Sequence, residues 1–98
     1  MSIVSLALRL AAPTPKIESF QRFLFIGPHP DDIEIGAGAT ASKLASEGKN
    51  VRFLVCIDGR YGDANLQSHV SPEDLAALRR EEAEKSAAAL GVHDVRFL

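Results

Sequence analysis

Short apolar blocks and longer stretches of helical character alternate along this chain from residue 22 onward. Phe23-Leu24-Phe25-Ile26 is a continuous apolar run bounded by Gly27 and Pro28, which predicts a strand buried in a parallel sheet covered on both faces. Glu34 to Glu47 is rich in small residues and stops at Gly48, the usual place for a left-handed helix cap. Val51 to Ile57 reads as a second buried strand, and Val95 to Leu98 as a third. Between these two, Ser71-Pro72-Glu73-Asp74 combines a capping serine, a proline at the first helical position and acids that the helix dipole favours. The helix predicted from there runs to Leu90 and stops at Gly91. Its apolar stripe is Leu75, Leu78, Ala83, Ala87 and Leu90, with Glu81 and Lys85 as an ion pair on the wet face.

The order β-α-β-α-β is the first half of a doubly wound α/β sheet. Helical crossovers require parallel strands, so the loop Asp58-Gly59-Arg60-Tyr61-Gly62-Asp63 falls on the same sheet edge as the segment after the first strand. A terminal strand without a following helix leaves one sheet face poorly covered. The expectation is that another chain covers it, with self-association through the exposed sheet, or that the sequence is a shortened form of something larger. Pro13-Thr14-Pro15 marks a break. Residues 1–21 are therefore expected to be an appended arm or edge element, and residues 22–98 the core unit.

Composition narrows the classes. Ninety-eight residues make one small domain, and a formal net charge of −2 gives no electrostatic reason to expect nucleic acid or an anionic membrane as partner. Ile3 to Ala12 lacks a basic flank, is interrupted by Arg9 and is too short to span a bilayer, so a cytoplasmic location is expected. The one cysteine, Cys56, excludes an internal disulfide and reads as a small buried hydrophobe.

The chemistry concentrates in His29-Pro30-Asp31-Asp32, at the carboxyl end of the first strand, where ligands collect in open α/β sheets. Pro28 and Pro30 restrict the backbone on either side of His29. In a tight turn residues three apart point the same way, so His29 and Asp32 can reach one ion while Asp31 points elsewhere. Nitrogen with carboxylate oxygen suits Zn²⁺, whose catalytic sites usually combine three protein ligands with an open position. Asp31, beside the ion but not on it, is placed to act as a general base. The competing reading makes Asp31 or Asp32 a cap of the following helix.

The tetrad and the following Ile33-Glu34-Ile35-Gly36-Ala37-Gly38-Ala39-Thr40 resemble the opening of the LmbE-like, or PIG-L-like, zinc-dependent N-acetylglucosaminyl deacetylases. Gly48, Gly59 and Gly62, Arg79-x-x-Glu82-Ala83 and Leu90-Gly91-Val92 extend the resemblance over roughly residues 22–98. It implies a three-layer, Rossmann-like fold, here only its first β-α-β-α-β half, and N-acylated amino sugars or their conjugates as substrates. It also implies His29 and Asp32 as zinc ligands and Asp31 as the base. Ile57 and Arg60 stand where the family often has a threonine and an acidic residue, so no substrate-binding residue is assigned. The third zinc ligand and a further histidine belong to the family's second half. Of the other histidines here, His93 precedes the third strand and lies on the wrong edge. His69 lies on the right edge, without spacing that points it inward. Arg79 and Glu82 share a helical face and form either a pocket-facing pair or an ordinary surface one.

Two further readings compete. Gly36-Ala37-Gly38-Ala39-Thr40-Ala41 matches G-x-G-x-x-A, and Asp58 ends the next strand. Gly36, however, is nine positions past Gly27, and the acids between would repel a pyrophosphate. The other reading is a truncated, non-catalytic metal-binding or interaction fragment.

Overall fold

The computed structural model describes residues 2–61 and 70–98. Three strands, β1 (Arg22–Gly27), β2 (Asn50–Val55) and β3 (Asp94–Phe97), form one parallel sheet in the order β1-β2-β3. Helix α1 (Ile3–Ala11) precedes the sheet, α2 (Asp32–Ser46) links β1 to β2, and α3 (Pro72–Ala89) lies between β2 and β3.

Alternation along the strands decides which face is buried. Val51, Phe53 and Val55 are buried, and their in-register neighbours Phe23, Phe25, Gly27, Val95 and Phe97 share that face. Ile33, Ala41 and Leu44 of α2, Ala87 of α3 and Val92 close the core over it. Phe25 and Phe53 meet edge to face, with ring centroids 5.8 Å apart.

The other face is open, contrary to the expectation of a sheet covered on both sides. Leu24 and Ile26 are 56% and 63% exposed. Beside them, Asp94 takes hydrogen bonds from Arg52 (2.6 Å) and Arg96 (2.9 Å). The cause is topological: two right-handed crossovers that step in one direction along the sheet place both helices on one side. The expectation of a poorly covered face is what the described residues show.

Several boundaries move. α2 begins at Asp32, two residues ahead of the expected start. β2 ends at Val55, but Cys56 N–H donates to the Gly27 carbonyl (3.0 Å) and Ile57 N–H to that of Pro28 (2.9 Å), so the extended chain still tracks the segment after β1. In α3 the expected stripe is off at one position. Leu78 is 46% exposed and Ala76 is buried instead, because Ala76, Ala83 and Ala87, rather than Leu78, lie on the row that faces the sheet. Ser71 caps α3 as expected, accepting the Asp74 N–H at 3.1 Å, and Glu81 pairs with Lys85 at 2.8 Å. Gly48 takes the left-handed conformation expected after α2 (φ 80°). Helix α1 has no buried residue. Past it, Lys49 Nζ donates to the Glu18 carbonyl and Asn50 N–H to that of Gln21, both at 2.9 Å, tying the end of the arm to the start of β2. Among the described residues no helix is long and apolar enough to cross a membrane.

Gly27 controls how closely α2 approaches β1. A Cβ there would lie 2.7 Å from Ile33 Cγ1 and 3.4 Å from Asp32 Cβ, so a methyl group must displace the first turn of the helix. Gly27→Ala is expected to cost about 1–3 kcal/mol, as overpacking does in a filled core. Urea denaturation measures this, and an unchanged midpoint would show that Ile33 gives way freely.

Candidate metal and catalytic site

The segment between β1 and α2 closes on itself. Asp32 N–H donates to the His29 carbonyl (3.3 Å), and Asp32 Oδ2 accepts the His29 backbone N–H (3.0 Å) while standing 3.2 Å from His29 Nδ1. The three-residue spacing therefore does bring an imidazole nitrogen and a carboxylate oxygen together. Both side chains are accessible, at 61% and 42% exposure.

Asp31 stands at the N-cap position of α2 with φ 79° and ψ −19°, and its side chain makes no capping hydrogen bond. The left-handed conformation costs an L-residue about 1 kcal/mol, a strain of the kind that collects at functional sites. Neither aspartate caps the helix. The Asp32 carboxylate turns back to His29, and that of Asp31 is left exposed.

Glu34, in the first turn of α2, was not singled out by sequence. One of its carboxylate oxygens is buried without a partner among the described residues. Burial, and then the charge of Asp31, push the Glu34 carboxyl above its ordinary range, against a hydrogen bond from Ser86. An acid two residues beyond Asp32 could have been noticed in the sequence, but its burial against α3 could not.

The loop after β2 joins this segment to α3. Arg60 Nε reaches both oxygens of Asp58 at 3.1 Å, and Nη2 reaches Oδ2 at 2.7 Å. That guanidinium holds the Asp58 carboxyl below the usual carboxylate range. Gly59 fits between the two neighbours: a Cβ there would stand 3.5 Å from both Pro30 Cγ and Arg79 Cγ. Arg79 Nη1 in turn donates to Glu82 Oε2 at 2.8 Å, so the pair expected on one helical face exists. The stem of Arg79 lies beside the tetrad's loop.

A groove of about 250 Å³, lined in part by Phe25, Pro28, Asp32 and Ile33, opens beside Asp32. A larger one of about 350 Å³ lies at the opposite end of β1 and β2, by Arg22 and Asn50, away from these groups. His93 is exposed just before β3, on the far edge, as expected. His69, Gly62 and Asp63 lie outside the described residues. Among the described residues no group of three His, Cys, Asp or Glu side chains could hold a metal. Gly36 sits inside α2, not at the strand-to-helix turn, which removes the geometry a dinucleotide fingerprint needs.

A family model described as PIG-L, GlcNAc-PI de-N-acetylase, matches residues 24–98, from the middle of β1 through β3. The chain belongs to the PIG-L family. Among its PIG-L relatives is a diacetylchitobiose deacetylase of Thermococcus kodakarensis, 41% identical over 78 residues, covering 80% of this chain and 28% of that protein. A 1D-myo-inositol 2-acetamido-2-deoxy-alpha-D-glucopyranoside deacetylase of a Nocardioides species is 39% identical over 83 residues, with the same two coverages. Among solved structures, the N,N'-diacetylchitobiose deacetylase of Pyrococcus horikoshii superposes with a TM-score of 0.76 at 32% identity, covering 100% of this chain and 38% of that one. The chain thus has an α/β fold shared with the part of that deacetylase it covers. The chain spans less than a third of the length of these two curated relatives.

Proposed function

We propose that this chain supplies the amino-terminal part of the active site of a zinc-dependent deacetylase that removes an acyl group from an N-acylated amino sugar or its conjugate. The observation that carries the reading is the pairing of two features. His29 and Asp32 converge at the carboxyl end of β1, and Asp31 between them holds a strained backbone with a carboxylate that caps nothing.

The donor set fits zinc. Two ligands about 2.0–2.1 Å from a tetrahedral ion stand about 3.3 Å apart. Nδ1 and Oδ2 are 3.2 Å apart. When bound, the ion supplies Lewis acidity to a carbonyl oxygen and to water. Asp31 takes the proton of the attacking water on its carboxylate and returns it to the departing amine. Two ligands leave the coordination short of the three protein ligands of catalytic zinc sites, so the reading includes a third from outside the described residues. A cytoplasmic location is part of the proposal, consistent with a single half-buried thiol, Cys56.

The direct test is acetate release from N-acetylglucosamine conjugates by the full-length polypeptide, with and without a zinc chelator. Turnover that persists after complete removal of zinc would exclude the metal role, and hydrolysis confined to substrates without an N-acyl amino sugar would exclude the substrate class.

The open sheet face adds a physical expectation. Leu24 and Ile26 form an exposed apolar strip on an edge strand, a surface prone to association. The isolated 98-residue chain is expected to self-associate, and Ile26→Lys to shift it toward monomer in sedimentation velocity. A native chain that is already monomeric at high concentration would remove this proposal.

A further inference from the structure

The two sides of the tetrad are unlike. On the side of β2 stand charged groups, the Arg60–Asp58 pair on the loop after that strand and the Arg79–Glu82 pair beyond Gly59. On the other side lies the groove of about 250 Å³, and of the side chains that line it only Asp32 carries a polar atom, while Phe25, Ile26, Ile33, Gly36 and Ala37 supply an apolar wall. Successive strand residues point to opposite faces, so a groove that touches both Phe25 and Ile26, and among the described residues none of β2, runs along the free edge of β1. It therefore begins at a proposed zinc ligand and leads away from the charged loop.

Two features of α2 keep the groove open. Gly36 lacks a side chain at a position where a Cβ would meet open space, and the helix departs from its regular path at the next residue, Ala37 (φ −143°, ψ 16°). A closed apolar cavity of about 150 Å³ holds a benzene molecule, so this groove has space for an acyl chain several carbons longer than acetyl. An acetyl methyl alone would leave most of it empty. Each methylene removed from water into such walls favours binding by about fourfold.

We propose that this groove is an acyl-chain subsite, selecting N-acyl amino sugars whose acyl group is longer than acetyl, with the sugar toward the charged loop and the chain along β1. The inference rests on the deacetylase reading for its reaction, in which water cleaves the amide C–N bond to give a carboxylate and a free amine, and on the groove for the length of the acyl group.

The test compares N-acetylglucosamine with N-butanoylglucosamine, as hydrolysis by the zinc-loaded full-length polypeptide and as binding to the same protein stripped of zinc. The two added methylenes are expected to raise kcat/KM about tenfold, through KM more than kcat, because the chain is held alike in the ground and transition states. The zinc-free protein should show the same ratio of affinities. Gly36→Leu fills the groove from its wall, replaces a poor helix former with a good one and should bring both ratios close to one, while Gly36→Ala should lower them in part. Values for the butanoyl sugar that equal or fall below those for the acetyl sugar in the native protein overturn the subsite and leave the deacetylase reading standing. A preference that survives Gly36→Leu also overturns it. If neither sugar is hydrolysed but the zinc-free protein keeps a binding preference that Gly36→Leu removes, the groove stands and the hydrolytic reading fails. Absence of both hydrolysis and binding overturns the subsite. So does a steep fall in the urea midpoint of Gly36→Leu with no effect of Gly36→Ala on the ratios, because another segment of the polypeptide then fills the groove.

Discussion

Asp31→Asn is expected to leave the fold and the zinc content of the full-length polypeptide intact and to remove most of its hydrolysis. The expectation follows from where the side chain is and what it does not do. Asp31 stands at the head of α2 without capping it, at φ 79°, so its carboxylate contributes no helix-terminus hydrogen bond that the amide would lose. Asparagine is enriched in the left-handed region, so the backbone should accept it with little change in stability. Alanine has no such tolerance, and Asp31→Ala should cost about 1 kcal/mol. The chemistry should respond differently: both variants lose the base, which is typically worth on the order of 10²- to 10⁴-fold in rate. Measuring the urea midpoint and the deacetylation rate per bound zinc for both variants separates the two roles. A near-parental rate for Asp31→Asn would leave Asp31 as a merely strained turn residue, and a large stability loss in that variant would mean its carboxylate holds the turn after all.

Much of this arrangement was legible in the sequence because it rests on local rules. The apolar block ahead of Gly27, the Ser71-Pro72 start of α3 and the glycine stop after α2 each act through neighbouring residues, and each appears where expected. The convergence of His29 on Asp32 is equally local, a turn closing over three residues. What escaped depends on contacts between distant parts of the chain. An apolar run does not say how many of its faces are covered, so Leu24 and Ile26 read as core and prove exposed. Leu78 looked like part of the helix stripe because leucine outweighs alanine in hydropathy, yet Ala76 occupies the row that the sheet allows. The burial of Glu34, the bridge from Pro30 through Gly59 to Arg79 and the stacking of Arg80 on Phe97 all join segments that only the crossovers bring together. Asp31's positive φ is a further case, since nothing in the letters His-Pro-Asp-Asp states which aspartate takes the strain.

Replacing either proposed ligand is expected to empty the metal site, and the two replacements should differ in their effect on the fold. Asp32 Oδ2 both faces Nδ1 and accepts the His29 backbone N–H at 3.0 Å. Asp32→Ala therefore removes a ligand and a charge-assisted bond that closes the turn, worth roughly 1.5–3 kcal/mol if it is fully lost and less at this exposure. His29→Ala removes the imidazole but keeps the backbone N–H that Asp32 accepts, so it should change stability by no more than about 0.5 kcal/mol, as surface substitutions usually do. Both variants should lose zinc, because a site assembled from two ligands here and a third elsewhere falls well below the usual three when one is removed. Metal analysis of the purified full-length variants, alongside their urea midpoints, tests the two parts independently. Stoichiometric zinc in both variants would place the metal elsewhere and end the proposal for this pair. Zinc loss with equal stability in both would keep the pair as ligands and show that the turn does not depend on the Asp32 carboxylate.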